Sequence, residues 1–302
     1  MEQGKPSINV LVKDKITKQS EGLFKLEKPL VLSFEEDRNL HNDLKKIERR
    51  LKSKLELIIL DLYNIALVVY VWDLQTKRGT EPRDCRILMS VSNKDRWDNV
   101  KDHLEATLRF LTGDTFSFNF IQGEPAREEF QFQMESDECV ALFSGGLDSL
   151  AGVKWMMDRG LKPVLVSHPG MGLISGVQKE LVGCLRQITG SELTWHQIRA
   201  TAKRGSGLTG KEYTQFSRSF LYLTLGVIFA LKLGIEREFI FENGVLAFNI
   251  PLTQSRIYSN TRTAHPRFLK MYQQLIDSIF GHHVVIENPF LAMTKGEVVK
   301  LL

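Results

Sequence analysis

The alternation of hydrophobic and polar positions changes rhythm once along the chain. In the first 135 residues the pattern is mixed. Ile8, Val10 and Val12 alternate as a strand does, and Arg86 to Val91 reads as a second strand. Phe116, Phe118 and Phe120 alternate with Ser117 and Asn119, which predicts a half-buried strand. Between these, Leu55, Ile58, Ile59, Leu62, Ala66 and Val69 recur at helical spacing, as do Val100, His103, Leu104, Leu108 and Leu111. The pattern predicts an α+β unit over 1–135. Asp95-Arg96-Trp97 reads as a helix start and Asp114 as a turn.

The charged segment Gly123 to Glu138 marks a boundary. After it, short apolar runs at Val140 to Phe143, Val164 to Val166, Leu193 to Ile198, Phe239 to Phe241 and Val284 to Ile286 alternate with segments of helical period. Those segments are Leu150 to Arg159, Val177 to Ile188, Phe216 to Leu233 and Phe268 to Phe280, with Gly160, Gly190, Gly234 and Gly281 just past them as left-handed caps. This β-α alternation predicts an α/β, doubly wound parallel sheet over 136–302, with ligands at the carboxyl ends of its strands.

Composition narrows the class. With 302 residues and 43% hydrophobic content the chain can bury a large core, and a net charge of +4 creates no field that demands nucleic acid or an anionic membrane. Cys85, Cys139 and Cys184 lack C-x-x-C spacing, which argues against a disulfide framework and against a thiolate metal site. A reducing, cytoplasmic setting fits. The N-terminus lacks an apolar signal-like stretch, and the apolar run Leu55 to Leu74 is broken by Asp61, Asn64 and Asp73, so it predicts a buried helix and no membrane partner.

Candidate chemistry concentrates at Ser144 to Ser149, SGGLDS, where the first strand of the doubly wound sheet turns into its first helix. Unpaired backbone N–H groups and the positive end of the helix dipole favour an anion there, and glycines let a phosphate approach the backbone. Ser144 and Ser149 add hydroxyl donors, whereas Asp148 would repel a phosphate unless a cation stands opposite it. Magnesium carried by the phosphates would resolve that conflict. The plainer reading is a capped helix after a tight turn. Neither the Walker pattern nor G-x-G-x-x-G is present.

At these residues the chain resembles the PP-loop ATP pyrophosphatases, whose signature is S-G-G-x-D-S, and among them the 7-cyano-7-deazaguanine synthase (QueC) group. Ser217-Arg218-Ser219 resembles that group's G-R-N, Glu242-Asn243-Gly244 its ligand turn after the fourth strand, and Thr294 to Val299 its T-K-A-E-[IV]-V. The chain is more similar still to the QueC-like proteins of bacterial anti-phage systems of the Qat and CBASS types, through Phe110 to Asp114, Glu242 to Leu252 and His265-Pro266. Two departures stand out. Ala264 to Phe268 reads A-H-P-R-F where QueC has C-R-P-E-F, so His265 replaces an arginine and Arg267 a glutamate, which leaves the exact small molecule open. QueC also carries four zinc-binding cysteines after its T-K motif, whereas this sequence stops seven residues past Lys295; zinc is therefore expected only with a further cysteine module.

The resemblance implies an HUP-type fold and an ATP- and Mg2+-dependent enzyme that adenylates a carboxylate-bearing 7-deazaguanine, releasing pyrophosphate before an amine displaces AMP. Ser144, Gly145, Gly146, Leu147, Asp148 and Ser149 would hold the nucleotide, Asp148 the magnesium, and Ser167 and His168 the adenine side. Glu242, Asn243, Gly244, His265 and Arg267 would face the substrate. His168 reads equally as a packed residue, and Lys295 equally as a neutraliser of the leaving group or a solvated lysine at a helix start. Arg218, at a helix start, offers a bidentate contact to phosphate or carboxylate. The basic, glycine-rich loop Arg199 to Arg218 reads as a lid or as a solvated charge run. Asn249 reads as serving the turn before Pro251. A protein partner from the same defence operon is implied. The alternatives are a nucleotide sensor or assembly subunit without turnover and a tRNA-modifying enzyme, the latter disfavoured by the low net charge.

Overall fold

The structure is a computed structural model that describes residues 7–12, 29–34, 39–79, 81–125, 136–169, 173–190, 192–203, 216–248, 262–281 and 284–302. Two parallel sheets and the helices around them make an α/β architecture.

The first sheet contains β1 (Ser7–Val12), β2 (Leu30–Leu32), β4 (Asp84–Val91) and β5 (Thr115–Gln122) in the order β2-β1-β4-β5, every pair parallel. The expected mixed α+β unit thus pairs its strands as an α/β unit does. The reason lies in the connection: α3 (Lys94–Thr112) runs back between β4 and β5, and a helical crossover returns the chain parallel. Helices α1 (Leu44–Leu51) and α2 (Leu57–Gln75) precede β4.

Helix α2 is apolar on all sides because it is enclosed on all sides, between the first sheet and a helix of the second half. Among the described residues it alone is long and apolar enough to cross a membrane, and 78% of that stretch is buried in the fold. Two of its three polar interruptions, Asp61 and Asp73, are satisfied, whereas Asn64 Oδ1 has no hydrogen-bond partner among the described residues. Asp61 accepts from Ser92 N at 2.7 Å, Ser92 Oγ at 2.6 Å and Trp97 Nε1 at 3.1 Å.

The second sheet has the order β11-β10-β6-β7-β8, all parallel, from β6 (Glu138–Leu142), β7 (Lys162–Ser167), β8 (Trp195–Gln197), β10 (Arg237–Phe239) and β11 (Val285–Glu287). Its strand order reverses between β6 and β10. Alternate residues of β6 face different cores: Val140 and Leu142 join the core of α6 (Arg218–Leu233) and α8 (Pro266–Phe280), while Cys139 and Ala141 join that of α4 (Leu147–Met157) and α5 (Leu173–Thr189). Helices therefore cover both faces, as double winding requires. Gly152 of α4 has no room for a side chain, since a Cβ there would overlap the Phe241 ring.

Of the expected boundary segment, Gly123 to Glu138, residues 126–135 lie outside the described residues. Across it the two sheets share one hydrophobic core: α2 packs on α6, α3 on α8, and Val10, Ile87 and Phe118 belong to the same cluster as Phe220, Phe229 and Tyr272. A short antiparallel ladder between β3 (Leu40–Asn42) and β9 (Ala200–Ala202) ties them further. Lys46 Nζ and Arg50 Nη1 donate to the Gln197 and Trp195 carbonyls, so α1 covers the edge strand β8.

Candidate functional site

The point where strand order reverses is where a doubly wound sheet opens a crevice. Two loops meet there, one leaving β6 and one leaving β10. The first is Ser144-Gly145-Gly146. Gly145 has φ of +82°, and a Cβ on it would stand 2.9 Å from Gln178 Cγ, so only glycine fits. Gly146 is the N-cap of α4 with extended backbone and no side-chain cap, and a Cβ there would meet only Ser144 Oγ, at 3.4 Å. The start of α4 is thus open toward the crevice. Ser144 Oγ accepts from Gly146 N at 3.3 Å and donates to Ser149 Oγ at 3.1 Å, and Ser149 Oγ donates to Gly146 O at 2.9 Å. Both hydroxyls line the loop, and Leu147 lies partly exposed on it.

Asp148 joins the two loops. Lys295 Nζ donates to its Oδ1 at 2.6 Å, while Asn243 donates to its Oδ2 through Nδ2 at 2.8 Å and N at 3.2 Å. Burial pushes the Asp148 carboxyl up, but the Lys295 and Asn243 hydrogen bonds outweigh it and hold the group below the usual carboxylate range. Lys295 reaches in from α9 (Lys295–Val299), whose start is fixed by a capping box between Thr294 and Glu297. Beside them Glu242 is half-buried, and desolvation with the adjacent Asp148 charge raises its carboxyl to about 7. Asn288 grips the Glu242 backbone, donating to its O at 2.8 Å and accepting from its N at 3.3 Å. Gly244 opens α7 (Gly244–Phe248); a Cβ there would overlap the Leu291 carbonyl oxygen, so this glycine serves close backbone packing.

Beneath the first loop lies a chain of side chains that no sequence motif marks. Gln178 Nε2 donates to Ser144 O at 2.9 Å, Gln197 Nε2 to Gln178 Oε1 at 2.9 Å, and Ser175 Oγ to Gln197 Oε1 at 2.9 Å. Ser167 belongs to this support: its Oγ donates to Phe143 O at 2.6 Å and accepts from Trp195 Nε1 at 2.9 Å. The spacing of Gln178 within an ordinary amphipathic helix gave no signal.

His168 and Arg218 form a second group. Arg218 Nη2 donates to His168 O at 3.0 Å, and His168 Nδ1 lies 3.1 Å from Ile198 O, facing a carbonyl and therefore carrying the proton. Burial, then the Arg218 charge, lower the His168 imidazole to about 4, so it is neutral. His265 and Arg267 fall in a third place. His265 Nδ1 caps α8 by accepting from Arg267 N at 3.1 Å, its ring meets Phe110 edge-on at 5.3 Å, and the Arg267 guanidinium lies over the same Phe110. Phe110 is thus a platform for this segment. Residues 204–215 and 249–261 lie outside the described residues, and with them Arg204, Lys211, Asn249 and Pro251.

Asp114 stands at the expected turn, in the link from α3 to β5 after the left-handed Gly113, and is also buried in an ion-pair cluster. It takes Arg78 Nη2 at 2.8 Å and Arg83 Nη2 at 2.6 Å, and Arg83 also reaches Asp73 at 2.5 Å.

The donor set suits magnesium brought in by phosphates: one ionised carboxylate, Asp148, beside an open helix start. Lys295 already stands on that carboxylate as a cation. Among the described residues no three His, Cys, Asp or Glu side chains gather as a metal cluster.

No family model matches the sequence, and no curated protein matches it. Among solved structures, a ketoreductase domain from the bacillaene assembly line is similar at 9% identity with a TM-score of 0.26, covering 98% of this chain and 85% of its own. A likeness that slight carries no argument about fold or function.

Proposed function

We propose that the chain is a PP-loop, HUP-type enzyme that spends ATP to adenylate a carboxylate-bearing substrate, releasing pyrophosphate before an amine displaces AMP. The observation that supports this best is the meeting of the open SGGLDS helix start with the Asp148–Lys295 pair at the reversal of strand order. The backbone N–H groups at Gly146 and Leu147, with the Ser144 and Ser149 hydroxyls, would bind the pyrophosphate part of ATP. A substrate oxygen forms the new bond to the α-phosphorus as the bond to pyrophosphate breaks, and charge builds on the departing oxygens. Lys295, released from Asp148, would neutralise that charge, and magnesium, held by Asp148 and the phosphates, would share it. Glu242, titrating near neutral pH, stands beside the same carboxylate on the substrate side.

A 7-deazaguanine acid, a partner from an anti-phage operon and zinc in a further module belong to this proposal through the resemblance of the motifs alone, and a cytoplasmic setting through the scattered cysteines. Chromatography of the spent nucleotide tests the reaction. AMP and pyrophosphate are expected, because the loop lacks the Walker lysine that serves γ-phosphate transfer. ADP as the main product would place the chain in another class, and nucleotide bound without turnover would favour a sensor.

A further inference from the structure

We infer that Asp73, from the N-terminal half, is a positioning residue for nucleotide binding: it fixes the start of α6 and so aims the Arg218 guanidinium at a phosphate of the bound nucleotide. This rests on the nucleotide reading of the crevice.

Helix α6 begins without a side-chain cap of its own. Asp73 supplies one from α2, its Oδ2 accepting from both Ser217 N and Ser217 Oγ at 2.9 Å. A carboxylate at that place satisfies a free N–H and meets the positive end of the helix dipole. Asp73 is fully buried and cannot swing away, because Arg83 Nη2 holds its Oδ1 at 2.5 Å and is itself held by Asp114 at 2.6 Å. Next along the chain, Arg218 is tied to the end of β7 by its 3.0 Å bond to His168 O. The first turn of α6 is therefore clamped from both sides.

Arg218 itself is incomplete. Among the described residues no carboxylate pairs with it, and its buried Nε has no hydrogen-bond partner. The adjacent His168 is almost fully buried with Nε2 also unpartnered. A half-buried guanidinium next to a neutral imidazole, with no counter-ion, is completed by an anionic ligand. Asp61 provides a built-in comparison. It lies on the same helix and is also buried, at 7% exposure against 0% for Asp73, and it bonds Ser92 and Trp97 of the N-terminal half.

Calorimetry with magnesium ATP tests the inference on the full chain. Arg218→Gln is expected to weaken binding about tenfold, the scale of one charged hydrogen bond. Asp73→Asn, assayed where it is folded, is expected to weaken it by a similar factor, and the double variant to bind no worse than Arg218→Gln alone. Asp61→Asn should lower the melting midpoint and leave affinity unchanged. Parent-like affinity in Asp73→Asn, or effects that multiply in the double variant, would overturn the inference. If Asp73→Asn does not fold, Ser217→Ala removes one of the two bonds and should show a smaller, equally non-additive loss; parent-like affinity there also overturns it. Parent-like affinity in Arg218→Gln, with binding lost in Gly146→Val, would end the positioning role and keep the nucleotide site. Undiminished binding in Gly146→Val would instead remove the nucleotide reading itself.

Discussion

Lys295 Nζ donates to Asp148 Oδ1 at 2.6 Å across a separation of 147 residues, so the last described helix closes on the first helix of the second sheet. In the adenylation reading this lysine trades its carboxylate partner for the leaving pyrophosphate. Lys295→Ala should lower the rate of pyrophosphate release by about 10²–10³, the scale of removing one preorganised donor from a transition state, with a smaller change in affinity for magnesium ATP. A rate close to the parent's, followed by a coupled pyrophosphate assay, would remove Lys295 from catalysis.

Gly146→Val is expected to abolish ATP binding while leaving the thermal midpoint near the parent's. The backbone at 146 is extended and a Cβ meets only Ser144 Oγ, so the fold accepts a side chain that the phosphate does not. Gly145→Ala should behave oppositely, losing stability, because positive φ and Gln178 both exclude the new methyl. Calorimetry and thermal unfolding on the same samples separate the two effects.

Glu242 should impose a pH dependence centred at about 7 on substrate turnover. Burial and the Asp148 charge raise its carboxyl, and Lys295 opposes them. Glu242→Gln should therefore erase the inflection. Asp148→Asn should shift the Glu242 proton to lower pH and Lys295→Gln to higher pH, read from the infrared carboxyl band if those variants turn over too slowly. Shifts of the opposite sign would show that other groups control it.

Glu238 of β10 is fully buried on the α6 side of the sheet, both carboxyl oxygens lacking a hydrogen-bond partner among the described residues, in the space left by Gly226. Desolvation raises its carboxyl well above the ordinary value of 4.5, so the folded protein holds this proton more tightly than the unfolded chain does. Its contribution is whole below that value and is lost as pH rises toward the folded-state value, at up to about 1.4 kcal/mol per pH unit. Denaturant unfolding of Glu238→Gln should be flatter with pH above 5 than that of the parent, whatever constant offset the amide introduces. Parallel curves would mean that the carboxyl has a partner or is ionised in the fold.

Gly152→Ala should destabilise by about 1–3 kcal/mol through the clash with Phe241, despite the higher helix propensity of alanine. A stabilised variant in chemical denaturation would show that Phe241 moves aside freely.

Much of the second half was legible in the sequence because its signals are local. Alternating apolar runs and helical periods marked β6, β7, β8, β10 and β11 and the long helices between them, and glycines 160, 190, 234 and 281 all take positive φ where caps were expected. The SGGLDS turn was legible for the same reason: backbone conformation and helix start are set by neighbours in the chain. The short elements β2, β3, β9, α1 and α7 were not, since no apolar run bounded by helical segments sets them apart and they are held by tertiary partners, as the β3–β9 ladder shows. Only the folded chain decided that Asp148 meets Lys295 and Asn243, that Gln178 supports Ser144, and that Asp73 and Asp114 are buried anchors. Sequence spacing fixes which face of an element a residue lies on, but a charged residue buried in an ion pair and one bathed in water look alike until packing brings their partners from distant segments.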